Sequence, residues 1–244
     1  MRYILAIDQG TTGSRAVLYD RRGRTVASAY EEFSQYFPRP GWVEHDPEEI
    51  WLSVRRTIQK ALACVPGSSI LAIGIANQRE TTVIWDRRTG RPVHNAIVWQ
   101  CRRTAERCRR LKAERGASAL VRERTGLPID AYFSATKAEW ILKRVGRRGK
   151  DGAGLCFGNI DAWLLWKLTG GRSHATDPTN ASRTMLFDIG AKAWDKELCG
   201  LFGVPGAILP EVRPSSGEFG RTVELGRLPA GIPIMGMAGD QQAA

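Results

Sequence analysis

In the opening segment, Tyr3, Leu5 and Ile7 alternate with Ile4 and Ala6, and both sets are apolar. An alternation without a polar set predicts a strand buried on both faces. Asp8-Gln9-Gly10-Thr11-Thr12-Gly13-Ser14 breaks the pattern with turn residues. Arg15–Tyr19 resumes strand character, Asp20–Gly23 turns again, and Arg24–Tyr30 makes a third strand, so a β-meander opens the chain.

A helix follows. Asp46 can cap it, Pro47 suits its first position, and Glu49 stands three residues after the cap, as in a capping box. Ile50, Val54, Ile58, Ala61, Leu62 and Val65 recur at helical spacing until Pro66-Gly67 stops the run. Next come the apolar strand Ile70–Ala76, a polar break at Asn77–Glu80, the strand Thr81–Asp86 and a turn through Arg87–Gly90.

The middle is more helical. The pattern predicts a charged helix from Arg103 to about Thr125 and a second, capped by Ser134, through Val145 with Trp140, Ile141 and Val145 as its stripe. A short strand Leu155–Ile160 and a helix Ala162–Leu168 capped by Asp161 come after it. The run Ile232–Ala238 is a last buried strand, and Gly239-Asp240 opens a strand-to-helix unit whose helix would cover the sheet. A meander, a helix, then further strands and helices predict a mixed α/β sheet without internal repeats.

Composition narrows the class. The 244 residues are 43% hydrophobic and 25% charged, the profile of a globular chain forming one large domain with insertions or two small ones. No apolar run approaches the ~20 residues of a membrane span. Tyr3–Ile7 is too short for a signal-peptide core and runs into Asp8, so a cytoplasmic location is expected. Cys64, Cys101, Cys108, Cys156 and Cys199 are irregularly spaced and match no zinc pattern, which predicts reduced, partly buried thiols. The net charge of +11 raises nucleic acid as a partner. The arginines, however, are dispersed, often beside turns (Asp20–Arg24, Asp86–Arg91, Gly146–Lys150), without interleaved aromatics. A solvated surface and an anionic small substrate fit better, and no nucleic-acid partner is expected.

Four segments carry candidate chemistry. The loop after the first strand, Gly10-Thr11-Thr12-Gly13-Ser14, can present several backbone N–H groups and hydroxyls to a phosphate, with Arg15 as a cation and Asp8 placed to hold Mg²⁺ through water. An ordinary β-turn uses the same residue types. In Asn77-Gln78-Arg79-Glu80, Arg79 could donate to a polyol's oxygens and Glu80 accept from its hydroxyls; a polar turn with a local ion pair serves equally. Trp99 could cover the carbon edge of a polyol and Tyr132 bond its oxygens, although core packing is the usual fate of aromatics. Asp240, just past a glycine-rich strand, could be a general base, a helix cap or both. The three histidines are scattered and form no Ser–His–Asp pattern.

Asp8–Arg15 (DQGTTGSR), Gly41–Pro47 (GWVEHDP), Asn77–Thr82 (NQRETT), Asn95–Thr104 (NAIVWQCRRT), Thr176–Leu186 (TDPTNASRTML) and Gly239–Ala244 (GDQQAA) together resemble the glycerol kinases of the FGGY carbohydrate kinase family, as does the run Tyr132-Phe133-Ser134…Lys137…Trp140. The resemblance covers the chain end to end. It implies an actin-like ATPase (ribonuclease H-like) fold, α/β with a mixed β-sheet flanked by helices. Residues 1–244 would form the N-terminal, glycerol-binding domain, with a C-terminal nucleotide-binding half outside this chain.

The implied activity is ATP-dependent phosphorylation of glycerol to sn-glycerol 3-phosphate and ADP, with Mg²⁺, in an enzyme whose full-length form is a homo-oligomer. Carried over by position, Arg79, Glu80, Tyr132, Asp240 and Gln241 bind glycerol and Trp99 packs on its carbons. Thr11, Thr12, Gly13 and Arg15 meet the phosphates, Asp8 the metal, and Asp240 accepts the alcohol proton. A half alone is expected to bind weakly, turn over little and expose an apolar cleft face. A kinase half for another polyol or sugar such as xylulose, and a non-catalytic binding module, are the competing readings. Three departures from the pattern stand out. Gly13 replaces a common serine, and Ala131 replaces a proline, which is expected to loosen Tyr132. Pro-Ala-Gly within Leu228–Gly231 replaces a glycine- and arginine-bearing regulatory loop.

Overall fold

A computed structural model describes residues 1–146, 152 and 154–244. β1 (Tyr3–Gln9), β2 (Gly13–Tyr19) and β3 (Thr25–Glu32) pair antiparallel, as the turns between them predict. Asp20 fixes the second turn by accepting from the N–H groups of Arg22 (2.8 Å) and Arg24 (3.0 Å). The strand Ile70–Asn77 lies parallel to β1, Pro233–Gly239 lies parallel to Ile70–Asn77, and Ser216–Arg221 adds an antiparallel edge. The result is one mixed six-stranded sheet with β1 near its middle.

α1 (Pro47–Ala61) crosses one face of this sheet. Ile50, Val54 and Ile58 interlock there with Leu5, Ile7, Ala16 and Leu18, all essentially inaccessible. The helix Ile160–Leu168 lies beside it, and Trp163 Nε1 donates to the Pro47 carbonyl at 3.0 Å. The opposite face is open. Ile4 is 40% exposed, and Ala6 and Ala72 are only half-buried, so β1 is not covered on both sides as its sequence predicts. Both faces are apolar in β1, yet among the described residues helices pack against one of them.

The connection from Ile70–Asn77 to its neighbour Pro233–Gly239 runs through residues 78–232 and carries a second apolar cluster. It contains α2 (Ala105–Ala113), α3 (Ala117–Thr125), α4 (Ser134–Val145) and a two-stranded pair of Val83–Asp86 with Leu155–Gly158. Gly116, at φ +83°, splits the single helix predicted over Arg103–Thr125.

Three residues expected in helix-capping roles, Glu49, Ser134 and Asp161, serve otherwise. Asp46 does cap α1 through the Glu48 N–H (2.8 Å), but Glu49 accepts from Ser34 N–H (3.0 Å) and Tyr36 Oη instead of closing a capping box. Ser134 is the first residue of α4, and its hydroxyl is spent on tertiary partners. Asp161 is inside its helix, wholly buried, accepting from the Thr176 hydroxyl. The five cysteines are free, four of them buried. Of the basic turn at Gly146–Lys150, residues 147–150 lie outside the described residues. Among the described residues no helix is long and apolar enough to cross a membrane.

Candidate active site

The three parallel strands finish at one level, because the register pairs Gln9 with Asn77 and Asn77 with Gly239. Ligand sites in such sheets lie beyond the carboxyl ends of the strands, where connecting loops diverge. Asn77 is locked there by a reciprocal amide pair with Asn180 (2.9 and 3.1 Å), and Gly239 N–H donates to Thr179 Oγ1 at 2.8 Å. Asp177 caps the short helix Pro178–Ala181 that supplies Thr179 and Asn180. These bonds fix the rim on which the polar loops sit.

Arg79 leaves the second strand and donates from Nε to Asp240 Oδ1, 3.1 Å away at the end of the third. Their approach needs Gly239: a Cβ there would come within 2.5 Å of the Arg79 Cδ. Asp8, at the end of β1, faces the same space. Burial raises its carboxyl above the usual range, Arg15 pulls it back and the neighbouring Asp240 charge raises it further. The ends of β1 and of Pro233–Gly239 thus bring two carboxylates within electrostatic reach of each other.

Glu80, the next residue, is buried beside them. Its side chain is 2% exposed, and Oε1 accepts from Arg183 Nε at 2.6 Å. Burial raises its pKa, with Arg183, Arg79 and Lys137 opposing. The Arg183 guanidinium lies 5.8 Å from the centre of the Tyr132 ring and 5.0 Å from that of Phe133. Tyr132 in turn packs 5.5 Å from Trp99, and Trp99 Nε1 donates to Thr11 Oγ1 at 3.0 Å. A chain of contacts therefore runs from the Thr11 loop through two aromatics to Arg183 and Glu80.

Tyr132 is not loosened by Ala131. Its N–H donates to Asp130 Oδ1 (2.9 Å), its carbonyl accepts from Lys137 Nζ (2.5 Å), and Ala131 is fully buried. Gly13 has a local cause as well: a Cβ would collide with the Tyr30 ring, whose hydroxyl lies 3.4 Å from Thr12 Oγ1. Arg15 stands over that ring at 5.8 Å. Gln241 is exposed; its backbone N–H bonds Asp240 Oδ1 at 2.8 Å, and its side chain meets none of the other candidates among the described residues.

Arg183 and Lys137 are the residues that sequence reading left without roles. Both lie in stretches that carry the family resemblance, but no spacing rule links Arg183 to Glu80, 103 positions away. In chemical terms, the rim offers a carboxylate beside a guanidinium, a second carboxylate, a hydroxyl loop and an aromatic wall. An alcohol and an anion could meet there.

The model of the FGGY family of carbohydrate kinases, N-terminal domain, matches residues 3–244. A glycerol kinase of Thermus brockianus is 58% identical over 248 residues, covering 100% of this chain and 50% of its own length. A glycerol kinase of Symbiobacterium thermophilum is 58% identical over 246 residues, with coverages of 99% and 49%. The crystal structure of Plasmodium falciparum glycerol kinase with ADP superposes with a TM-score of 0.93 at 36% identity, over 100% of this chain and 49% of that one. This chain spans about half the length of the relatives it matches. Its sheet and flanking helices are the actin-like, ribonuclease H-like fold of these kinases, and with both sequence and fold agreeing, the chain belongs to the FGGY family of carbohydrate kinases.

Proposed function

We propose that this chain is the polyol-binding N-terminal half of an ATP-dependent glycerol kinase, with the nucleotide-binding half supplied by a C-terminal domain. The observation that carries the reading is the meeting of Arg79 and Asp240 at the strand ends, beside the Asp8 loop and the Trp99–Tyr132 wall. The similarity to glycerol kinases at 58% identity supports glycerol over a sugar such as xylulose.

In this reading glycerol lies against Trp99, with Arg79 donating to its oxygens and Glu80 and Tyr132 bonding its hydroxyls; Gln241 adds a contact once its side chain turns inward. The donors found on Asp240, Arg79 Nε and the Gln241 N–H, both bind Oδ1, which leaves Oδ2 toward the cleft. Asp240 takes the proton of the terminal hydroxyl as that oxygen bonds the γ-phosphorus and the bond from phosphorus to the β-γ bridging oxygen breaks, giving sn-glycerol 3-phosphate and ADP. Holding the alcohol in line for attack and stabilising the phosphoryl charge together supply the rate enhancement. Trp99, bonded to Thr11 Oγ1, leaves that hydroxyl's own proton for a phosphate oxygen, and Thr12, Gly13 and Arg15 complete the anion seat.

Mg²⁺ entering with ATP would be held by Asp8 through water. The residues fit the ion, since a partly desolvated carboxylate beside a second one is a hard-oxygen seat favouring a cation. The ion would neutralise charge on the phosphates. Closure of the second domain excludes water and completes the site, so this chain alone binds glycerol weakly and turns over little.

Calorimetry with glycerol and a coupled assay of ADP release on the full-length protein test the reading. Glycerol-dependent ADP release, with glycerol binding lost in Arg79→Ala, is the expected result. Clear affinity for xylulose with none for glycerol overturns it.

A further inference from the structure

Glu80 has a backbone φ of +58°, in the left-handed region that residues with a Cβ avoid. Its carbonyl oxygen is held by three donors: Lys137 Nζ at 3.0 Å, Thr82 Oγ1 at 3.1 Å and Ser134 Oγ at 3.2 Å. Lys137 is wholly buried, and its second bond goes to the Tyr132 carbonyl. One ammonium group therefore ties the backbone of Glu80 to that of Tyr132. A residue held this firmly in an uncommon conformation has a side chain whose direction is fixed by its surroundings.

What remains is the carboxylate. Arg183 Nε takes Oε1 alone, and no described residue hydrogen-bonds Oε2. The guanidinium sits against the faces of Tyr132 and Phe133, so its own position is set by two rings. The side chain of Arg183 is 25% exposed, whereas that of Glu80 is 2% exposed. The cation thus occupies one carboxylate oxygen and leaves the other without a hydrogen bond among the described residues.

We infer that Arg183 is a positioning residue for the alcohol substrate, acting through Glu80: it binds one carboxylate oxygen and presents the other, ionised, to a substrate hydroxyl. This deepens the polyol-pocket reading and rests on it. Without the guanidinium, burial would push the Glu80 carboxyl toward its neutral form, which accepts poorly from a hydroxyl.

The test is steady-state kinetics of the full-length enzyme across pH 5–9, comparing wild type with Arg183→Met, Arg183→Lys, Glu80→Gln and the Arg183→Met/Glu80→Gln double variant. Arg183→Met is expected to raise the glycerol KM by about 10–100-fold, with a smaller fall in kcat. The acid limb of kcat/KM for glycerol should move to higher pH in Arg183→Met and stay in place in Arg183→Lys. In the Glu80→Gln background the Arg183→Met change should add little, because the group it acts through is already gone. Where Arg183→Met is not recovered folded, Arg183→Gln gives the same comparison. A KM near wild type with an unmoved acid limb, or an equal loss in the Glu80→Gln background, overturns the inference alone. A wild-type enzyme with no glycerol-dependent turnover removes the polyol-pocket reading and the inference with it.

Discussion

Arg79 and Asp240 meet through a single 3.1 Å bond from Nε to Oδ1, across 161 positions of chain. Half of each side chain's work is visible in that contact. The arginine arrives over a glycine from the neighbouring strand, and the second carboxylate oxygen has no donor among the described residues.

Asp240→Asn separates the two roles. The amide oxygen can still accept from Arg79, but the amide cannot take a proton. The expected outcome is a fall in kcat of about 10²–10⁴ with little change in glycerol KM. Steady-state kinetics on the full-length enzyme check it; a variant within tenfold of wild type in kcat removes Asp240 from the proton transfer.

Gly239→Ala and Gly74→Ala should differ although both lie in the central sheet. At Gly239 the new methyl meets Arg79 at 2.5–2.7 Å; at Gly74 nothing lies within 4 Å. We expect the first to cost about 1–3 kcal/mol and to weaken glycerol binding by displacing Arg79. The second should stay within about 0.5 kcal/mol of wild type. Urea unfolding of this chain and calorimetry report both.

Trp99→Phe keeps a ring against Tyr132 and removes the donor to Thr11 Oγ1. Losing one such hydrogen bond should raise the KM for ATP about 3–10-fold and the glycerol KM less. Trp99→Ala, which also removes the wall, should raise both. Equal effects of the two variants on both constants would contradict the division of labour between indole face and indole N–H.

Three buried groups with large shifts make opposing contributions to acid stability. Burial pushes His45 and His174 down to about 4 from an ordinary 6.5, and pushes Asp161 up to about 7 from 3.8. Below pH 6.5 the unfolded chain binds two histidine protons that the folded chain refuses, so stability falls as pH drops toward 4. Asp161 acts oppositely: folded, it keeps a proton that the unfolded chain releases, a stabilisation lost as pH rises through 7. Between about pH 4.5 and 6 the balance is one proton, and stability should fall by about 1.4 kcal/mol per pH unit of acidification. Asp161→Asn leaves both histidine protons unopposed, steepening the fall to about 2.7 kcal/mol per unit and raising stability at pH 8. Urea midpoints across pH measure the slopes; an unchanged slope in Asp161→Asn excludes a neutral Asp161.

The meander, α1 and the last strand were legible because each is a local pattern closed by turn residues or a cap. The corners of the proposed site, Asp8, Arg79 and Asp240, stand out in the sequence as polar breaks after apolar strands. Less legible were contacts made by side chains from distant segments. Arg183 reads as one more arginine in a basic chain until the fold sets it against Glu80. Stretches that carry the resemblance also serve packing. Trp42 and Glu44 of GWVEHDP enclose Arg103 with Trp140, an inaccessible cation 4.0 and 4.6 Å from two indole rings, and this cluster braces the scaffold. The openness of the second sheet face could not be read from an apolar strand, because alternation records what a strand could bury and not what covers it.

The long excursion through residues 78–232 sets an order of events during synthesis. The strand Pro233–Gly239 docks beside a neighbour made long before it, and until then Ile70–Asn77 presents an unzipped border of amides and carbonyls, an invitation to stick to other nascent chains. Placing Asp240 directly after that late strand means that the proposed pocket is finished only when this border of the sheet has been closed.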